Sequence, residues 1–332
     1  MNVKQLPKTE LHRHLELSIR RSTIEELAPQ FGFDLSKQGA YEHHFLITEQ
    51  MADLGSVLHK FLDTQKLLGS EEILERIAYE ACVDAYNLEG IRVLELRYAP
   101  TFVAMNHDHL SYDKIHSAFM KGIEKAERDV PIAVGMICIL QRILSVDIGR
   151  EVAHFAIENK DRFIGLDLAD DEAGFDSKPF SDFFLKAKEA GLGITVHSGE
   201  ANLPKSPWYP KDAIEYLGAD RIGHGVQIYR EPEMIEYVKQ KGVTLEVCPS
   251  SNYFTNAVAT IEEHPIRKLM EAGVKVTINT DDPGIFGIDL NHEYNLLHDK
   301  FNFTEEEFTK CNETALAASF INPEKIKAVW PK

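Results

Sequence analysis

Two histidines, His12 and His14, stand one residue apart in the stretch TELHRHLELS near the start of the chain. On an extended strand, residues i and i+2 point to the same face, so the two imidazole rings would lie side by side. Such a pair suits a divalent metal ion, because imidazole is a common ligand of zinc and related metals. A His-x-His pair alone is more often a surface or packing feature. The metal interpretation therefore depends on what the fold brings to the same place.

Acidic and imidazole side chains also end later apolar runs of the chain. His197 lies in GITVHSGE with Glu200 three residues later, and His224 lies in RIGHG. Asp281 and Asp282 lie at the end of VKVTINTDDP. Taken alone, each has a structural interpretation: a hydrogen-bonded core histidine, a solvated loop acid, or a turn or helix cap before a proline.

Eight short apolar runs rich in β-branched residues recur along the chain, and most successive runs are separated by an amphipathic segment of helical length. They lie at residues 9–12, 91–100, 131–140, 163–169, 193–200, 221–225, 243–251 and 274–283. Alternating strands and helices indicate a parallel sheet of the α/β class. Eight such units in 332 residues favour a closed (β/α)8 TIM barrel over an open doubly wound sheet. No phosphate-binding glycine motif follows the first strand, which also argues against a dinucleotide-binding fold.

The connection after the first strand, roughly residues 15–90, is too long for one helix and carries several helical patterns. We interpret it as a helical insertion over the mouth of the barrel. Four of its apolar residues, at helical spacing, either line a lid over the site or pack the insertion onto the barrel. They are Leu54, Val57, Leu58 and Phe61. No Pro-rich or Gly/Ser-rich linker divides the chain, so residues 1–332 are predicted to form a single domain.

In a TIM barrel the active site lies at the C-terminal ends of the strands. The polar residues above end strands one, five, six and eight, so the barrel would gather them at one mouth. Nitrogen and oxygen ligands without thiolate suit Zn2+, with other divalent transition metals as alternatives. The predicted metal ligands are His12, His14, His197 and Asp281. Glu200 and His224 are left as acid–base groups beside the metal, which is the inventory of metal-assisted hydrolysis.

A single metal ion is predicted. Binuclear barrel hydrolases commonly bridge two ions with a modified lysine that ends the fourth strand, and GLDLADDEAG has no lysine. The signature of the other class of zinc deaminases, H-x-E with P-C-x-x-C, is absent. Other histidines lie in stretches that indicate a solvated loop or satisfied pairs. These are His43 and His44 in the insertion, and His107, His109 and His116 after the second strand.

The chain is acidic, with 36 Lys and Arg against 53 Asp and Glu and a formal net charge of -17. This charge argues against nucleic acid or an anionic membrane as a partner and fits a neutral or cationic small molecule. The apolar runs are shorter than the ~20 residues of a membrane helix, and no signal pattern begins the chain. The cysteines are scattered without a C-x-x-C pair, which predicts a reducing, cytoplasmic location. They are Cys82, Cys138, Cys248 and Cys311. The oligomeric state is not indicated.

Several stretches resemble the adenosine deaminase family of amidohydrolase-type barrels, in order and over nearly the whole chain. They are PKTELHRHLE, RIAYEACVDAYNLEGIRVLELRYAP, GLDLADDE, TVHSGE, DRIGHG, LEVCPSSN, TINTDDP and FTEEEF. The resemblance implies an enzyme of purine metabolism that holds one Zn2+ per chain. It implies hydrolytic deamination of a small purine nucleoside: adenosine and 2'-deoxyadenosine would give inosine and 2'-deoxyinosine plus ammonia.

By the same resemblance, the four predicted ligands match the family's zinc ligands. Glu200 matches the acid that protonates purine N1, which makes C6 electrophilic. His224 matches the residue that orients and helps to deprotonate the zinc-bound water, and Asp281 would also accept a hydrogen bond from the resulting hydroxide. Asp282 matches the residue that bonds purine N7.

Two substrate-side positions depart from the family's usual pattern. Glu16, in HLEL, replaces the Asp of HLDG that meets the ribose 5'-hydroxyl, and its extra methylene would reach a hydroxyl or fill the ribose space. Asp170, in DLADDE, replaces a glycine whose backbone N–H contacts purine N3, and a positive φ there would strain an aspartate. Glutamate at position 16 is also usual in relatives that act on free adenine. Deamination of adenine or of a modified adenine nucleoside is therefore the alternative.

Two hypotheses come from other functional classes. A barrel hydrolase of lactones or phosphoesters would not need the purine-contacting residues Glu200 and Asp282. A non-catalytic binding protein on this fold is disfavoured because no catalytic position is lost.

Overall fold

The computed structural model describes residues 2–52 and 54–331, without the side chains of residues 54–57. Eight parallel strands lie side by side in chain order. They are β1 (Lys8–His14), β2 (Ile91–Tyr98), β3 (Ala133–Gln141), β4 (Gly165–Ala169), β5 (Gly193–Ser198), β6 (Arg221–His224), β7 (Thr244–Val247) and β8 (Lys275–Ile278). The sheet closes where Arg13 pairs with Asp281, and the backbone N–H of His14 donates to the Asp281 carbonyl at 2.9 Å. The predicted (β/α)8 TIM barrel is confirmed.

Helices separate the strands and follow the last one. They are α1 (Arg21–Leu27), α2 (Ala40–Phe45), α3 (Leu54–Lys66), α4 (Glu71–Asp84), α5 (Pro100–Ala104), α6 (Tyr112–Asp129), α7 (Val146–Glu158), α8 (Ser181–Glu189), α9 (Tyr209–Leu217), α10 (Pro232–Lys241), α11 (Pro249–Phe254), α12 (Ile266–Glu271), α13 (Pro283–Phe286), α14 (Leu290–Phe301), α15 (Glu305–Ala318) and α16 (Pro323–Val329). Helix α10 is followed by Gly242 with φ 68°, a left-handed conformation that favours glycine.

The segment between β1 and β2 contains helices α1 to α4. Helix α4 begins after Ser70, whose hydroxyl accepts a hydrogen bond from the backbone N–H of Ile73, and it packs against α6. A π-helical turn over Ala85–Glu89 then leads to Gly90, with φ 81°. These helices lie within the range predicted for the insertion. The assignment of the whole chain to one domain stays a prediction.

Helix α3 carries the residues predicted for a lid. The side chains of Leu54 and Val57 lie outside the described residues. Leu58 is 44% exposed. Phe61 instead packs against a small apolar cluster beside the mouth of the barrel. Its buried members are Leu17, Ile47, Met51, Ile285 and Phe286. The two described residues therefore have different environments.

His116 does not lie in a solvated loop, so that prediction was wrong. It is buried on the inner face of α6, where its ring stacks on Phe163 with a centroid distance of 3.9 Å. Its Nδ1 lies 3.2 Å from the hydroxyl of Tyr98. The polar residues that precede it begin the helix, and the periodicity of that helix turns His116 toward the core.

The apolar core lies between the strands and the helices, whereas the barrel interior carries charge. Arg97 on β2 reaches across the barrel to Glu246 on β7, at 2.8 Å, and both are fully buried. All four cysteines are buried and free. Among the helices of the described ranges, none is long and apolar enough to cross a membrane.

Candidate metal and active site

The barrel brings the predicted ligands to the C-terminal end of its sheet. His12 and His14 both lie on β1, and His197 lies on β5. Asp281 follows β8 with φ 65°, and His224, the last residue of β6, has φ 62°. These left-handed conformations are uncommon for residues other than glycine, and they often occur at functional sites because the surrounding packing holds them.

Three separations between donor atoms of the predicted ligands match the spacing around a tetrahedral zinc ion. Oδ1 of Asp281 is 3.2 Å from Nε2 of His12 and 3.3 Å from Nε2 of His14. Nε2 of His14 is 3.3 Å from Nε2 of His197. Ligands bound at about 2.0–2.1 Å to one tetrahedral zinc ion lie about 3.3–3.4 Å apart. These three separations fit one ion of this size, although the group of donor atoms that contains His12 and His197 does not include His14.

Nε2 of His12 also fits a metal ligand. This atom is buried and has no hydrogen-bond partner among the described residues, because the approach of Asp281 lacks hydrogen-bond geometry. A buried polar atom without a partner is costly unless a ligand satisfies it. Two groups of donor atoms, each within 4.8 Å of one another, share Asp281. One consists of His12, His197, His224 and Asp281, and the other of His14, Asp281 and Asp282.

The outer nitrogens of two predicted ligands bind buried carboxylates. Nδ1 of His12 lies 2.8 Å from Oε2 of Glu246, and Nδ1 of His197 lies 3.0 Å from Oδ2 of Asp167. Such contacts turn Nε2 toward a metal and fix the ring orientation. Neither Glu246 nor Asp167 was predicted from the sequence. Their signal is a single acid within an otherwise apolar strand, in GLDLA and TLEV.

Charges in the site favour a bound cation. Burial lowers the pKa of His197 to about 3, so its ring is neutral near pH 7, which is the form that binds metal. Burial acts in the same direction on His14, but the carboxylates of Asp282 and Asp281 outweigh it and raise the pKa of His14 to about 10. The carboxylates therefore stabilise positive charge at this point, and a divalent ion would supply it in place of a proton.

Glu200 and His224 lie together beside the donor atoms. Oε2 of Glu200 is 3.5 Å from Nε2 of His224, which in turn is 3.8 Å from Oδ2 of Asp281. The hydroxyl of Thr255 donates to Oε1 of Glu200 at 2.7 Å. Asn252 binds Nδ1 of His224 at 3.1 Å and so orients Nε2 toward the two acids. Burial lowers the pKa of His224.

Glu172 holds the backbone around Glu200. Its carboxylate accepts hydrogen bonds from three successive backbone N–H groups, those of Gly199, Glu200 and Ala201, at 2.6–2.7 Å. Burial raises the pKa of Glu172 to about 7, although these donors favour its charged form. The sequence analysis missed this role, because nothing in DLADDE shows that its last acid reaches the loop after β5.

Two predicted substrate contacts have unpaired oxygen atoms. Glu16 is buried, and its Oε1 accepts a hydrogen bond from the backbone N–H of Ala99 at 2.9 Å. Within the described ranges, Oε2 of Glu16 and Oδ1 of Asp282 have no hydrogen-bond partner. Burial raises the pKa of Glu16. Burial and the neighbouring Asp281 raise the pKa of Asp282 well above its usual range.

Asp170 has a positive φ, the backbone conformation that is expected to strain an aspartate. Its φ is 79°, in the region that favours glycine. Its Oδ2 accepts a hydrogen bond from Nε2 of Gln141 at 2.9 Å, and Oε1 of Gln141 accepts one from Thr101 at 2.6 Å. These side-chain contacts offset part of the backbone cost and fix the carboxylate at the mouth of the barrel.

An eight-stranded parallel barrel with histidine and carboxylate donors at the C-terminal ends of its strands is the arrangement expected of a metal-dependent barrel hydrolase. Within this class, the sequence model of the family described as Adenosine deaminase matches residues 7–331. The chain therefore belongs to the adenosine deaminase family, as its motifs predicted.

Individual relatives agree with this assignment. An adenosine deaminase of Pectobacterium atrosepticum is 36% identical over 323 residues, which cover 97% of this chain and 94% of that protein. The solved structure of an Arabidopsis N6-mAMP deaminase has a TM-score of 0.85 at 26% identity, with 98% of this chain and 97% of that chain covered. An amidohydrolase of Burkholderia ambifaria, solved with bound zinc, shares the fold with a TM-score of 0.86 at 24% identity, and the coverage is 98% and 89%.

Proposed function

We propose that this protein is a zinc-dependent aminohydrolase that converts adenosine and 2'-deoxyadenosine, with water, into inosine and 2'-deoxyinosine plus ammonia. The close approach of histidine and carboxylate donor atoms at one end of the barrel, with Glu200 and His224 beside them, carries the proposal. The family and the 36% identity to a protein named adenosine deaminase support a nucleoside substrate. They do not favour the alternative, a deaminase of free adenine or of a modified adenine nucleoside.

In this proposal one Zn2+ per chain is held by three imidazoles and one carboxylate. The ligands are His12, His14, His197 and Asp281. A zinc ion here would act as a Lewis acid and would lower the pKa of a coordinated water toward ~7. The side chains around it then have to move protons and hold the purine.

Addition of water to C6 requires a proton on the ring and the removal of a proton from the water. Glu200 is the proposed donor to purine N1, and Thr255 anchors its other oxygen. His224, next to both Glu200 and Asp281, is the proposed acceptor of the proton from the attacking water. His224 then gives this proton to the amino group, which leaves C6 as ammonia. The hydroxyl group on C6 gives its proton to Glu200 and becomes the carbonyl of the product. One water is consumed, and the protein ends in its initial protonation state.

Three residues are proposed to hold the substrate. Asp282, whose Oδ1 is buried without a partner among the described residues, is the proposed contact of purine N7. Glu16 has one oxygen engaged by Ala99 and the other unpaired, so Oε2 can accept a hydrogen bond from a ribose hydroxyl. Asp170 offers its backbone N–H to purine N3, as the resemblance implies.

We also propose that residues 1–332 form one domain and that the protein works in the cytoplasm on a small molecule, without a nucleic acid or membrane partner. The four free, buried cysteines support a reducing compartment. The net charge of -17 argues against polyanionic partners.

The test is a substrate comparison with the metal-loaded protein. Adenosine, 2'-deoxyadenosine and adenine are assayed for released ammonia, and N6-methyladenosine for methylamine. The proposal expects the two nucleosides to have the highest kcat/KM and a chelator-treated sample to be inactive. A higher kcat/KM for adenine or for N6-methyladenosine would contradict it.

A further inference from the structure

A network of five buried charged side chains runs through the barrel interior, below the proposed metal site. Its members, each no more than 1% exposed, are Glu95, Arg97, Asp167, Arg221 and Glu246. Arg97 contacts Asp167 and Glu246, at 2.8 Å each. Arg221 contacts Glu246 and Glu95, at 2.6 Å each. Because each guanidinium bridges two carboxylates, the five side chains form one continuous chain of ion pairs.

The upper end of this network contacts two proposed metal ligands: Asp167 binds His197, and Glu246 binds His12. Oε2 of Glu246 contacts Nδ1 of His12, and Oε1 of Glu246 contacts Arg221. The ring of His12 and the guanidinium of Arg221 therefore share one carboxylate. The hydroxyl of Thr195 also donates to Oε1 of Glu246, at 2.9 Å. A displacement of Arg221 would therefore shift the carboxylate that orients His12.

The lower end contacts the connection between α15 and α16, at the opposite end of the barrel. Oε1 of Glu95 accepts hydrogen bonds from the hydroxyl of Ser319 at 2.7 Å and from the backbone N–H of Phe320 at 2.6 Å. Arg221 donates to the carbonyl of Ala318 at 2.9 Å. The ring of Phe320 covers the guanidinium of Arg221, 3.7 Å from its centroid. Both ion-pair partners at this end are thus held by the last residue of α15 and the two residues that follow it.

Phe320 reaches this position because a glycine begins the neighbouring strand β5. A Cβ atom at Gly193 would lie 2.4 Å from ring atoms of Phe320, so any side chain at this position would force the ring to move. The ring therefore closes the N-terminal end of the barrel over Gly193 and Arg221. This close approach needs the ring and the glycine together.

The network holds one more negative than positive charge, since three carboxylates face two guanidinium groups. Burial would raise the pKa of Glu246, but Arg97 and Arg221 hold it well below its usual range, so this acid is ionised. Buried ion pairs add little net stability when apolar packing is the alternative. What the arrangement provides is orientation, because each of its five charged groups contacts at least two partners.

We infer that the connection Ser319–Phe320 is a positioning element of the metal site, which acts through Glu95, Arg221 and Glu246 on the ring of His12. The inference rests on the proposed zinc site. It extends the set of residues that control metal affinity to the far end of the barrel, where Phe320 contacts neither the metal ligands nor the substrate region.

The experiment measures Zn2+ affinity by competition with a chromophoric chelator, together with the Tm of the metal-free protein. Phe320→Ala keeps the backbone N–H for Glu95 but removes the ring from Arg221. We expect it to weaken Zn2+ binding about three- to tenfold. This is no more than the smallest loss typical of removing a group that binds a metal ligand directly, because Phe320 acts at one remove. Ile321→Val is the matched control, because Ile321 is buried in a neighbouring apolar cluster outside the ion network. It should lower Tm and leave Zn2+ affinity unchanged.

A double-mutant cycle tests the route. Glu246→Gln alone should weaken Zn2+ binding about 10- to 100-fold. If Phe320 acts through Glu246, adding Phe320→Ala to this variant should change affinity less than twofold. Ser319→Ala, which removes one hydrogen bond to Glu95, is the milder variant if Phe320→Ala does not fold, and it should weaken Zn2+ binding in the same direction.

Equal Zn2+ affinity in Phe320→Ala, Ser319→Ala and the unmutated protein would overturn the inference and leave the metal site intact. Full additivity in the cycle would also overturn it, because the effect would then not pass through Glu246. An unmutated protein that binds no Zn2+ would instead show that the proposed site itself is wrong.

Discussion

Oε2 of Glu200 lies 3.5 Å from Nε2 of His224, at the ends of two neighbouring strands of the barrel. The proposed proton donor to the ring and the proposed acceptor from water are therefore adjacent. Hydrolytic deamination needs both groups within reach of the reacting carbon and its ring nitrogen, because one proton has to enter the ring while another leaves the water. Thr255 binds Glu200 and Asn252 binds His224, and these two contacts fix the position of Glu200 relative to His224.

Removal of the histidine pair should remove the metal. His12→Ala together with His14→Ala deletes two of the four donors, and we expect loss of bound zinc and of deaminase activity, since binding requires the full ligand set. Elemental analysis of the unmutated protein should give about one zinc per chain.

The chain contains a matched control with the same spacing. His107 and His109 form a second His-x-His pair, but their Nε2 atoms lie 3.3 Å and 3.0 Å from the carbonyls of Gln65 and Gly69. Changing both to Ala should leave the zinc content and activity intact. Two zinc ions per unmutated chain, or a fully active chain without metal, would contradict the site.

Glu200→Gln should retain zinc and the fold but lower kcat by roughly 10²–10⁴, the usual contribution of a positioned acid. The amide keeps the shape of the side chain yet cannot donate a proton to N1 in the same way. Thr255→Val, which removes only the anchor of Oε1, should have a smaller effect on kcat. Near-normal turnover by Glu200→Gln, measured as ammonia release, would show that another group is the acid.

The positions of the proposed ligands followed from the sequence because parallel strands in a barrel all end at the same rim. Once the eight runs were recognised, residues near strand ends, such as His197 and His224, had to meet. Strand bounds did not have to be accurate for this step. Strand β1 extends to His14, and β8 ends at Ile278, three residues before Asp281, yet both residues reach the site.

The outer contacts could not be found in the same way. Asp167 and Glu246 are single acids inside apolar strands, and their partners His197 and His12 lie 30 and 234 residues away in the chain. No local pattern shows which ring each acid binds. The same holds for Glu172, whose three backbone donors lie in the loop after another strand. Such pairs become visible only when strand order and register are known.

Substitutions of Leu58 and Phe61, the two described residues of the proposed lid, should have different effects on stability and kinetics. Leu58 is exposed on α3, so Leu58→Ala should leave Tm unchanged, and it should raise KM for adenosine if the helix closes over the substrate. Phe61 packs into the apolar cluster at the mouth, so Phe61→Ala should cost about 1–3 kcal/mol of folding free energy, less than for a fully buried Phe. Thermal melts and initial rates on both variants provide the measurements. An unchanged KM in Leu58→Ala would remove the support for a lid at this position.

Glu16 is the residue proposed to recognise the sugar. Its Oε1 is engaged by the backbone N–H of Ala99, and its buried Oε2 has no partner in the described part of the chain, which leaves one acceptor for a ribose hydroxyl. A hydrogen bond to a charged group is worth roughly 1.5–3 kcal/mol, or about ten- to a hundredfold in kcat/KM. Glu16→Ala should therefore lower kcat/KM for adenosine by this factor.

The comparison with 5'-deoxyadenosine isolates the contact, because this substrate lacks the proposed partner atom. Glu16→Ala should leave kcat/KM for 5'-deoxyadenosine nearly unchanged and should keep its zinc, since Glu16 is not a proposed ligand. An equal loss on both nucleosides would mean that Glu16 supports the fold or the ligand histidines and not the hydroxyl. If the unmutated protein prefers free adenine, Glu16 instead fills the space of the sugar. In that case Glu16→Ala should raise the activity toward adenosine, the opposite of the expected result, because the carboxylate that excluded the ribose would be gone.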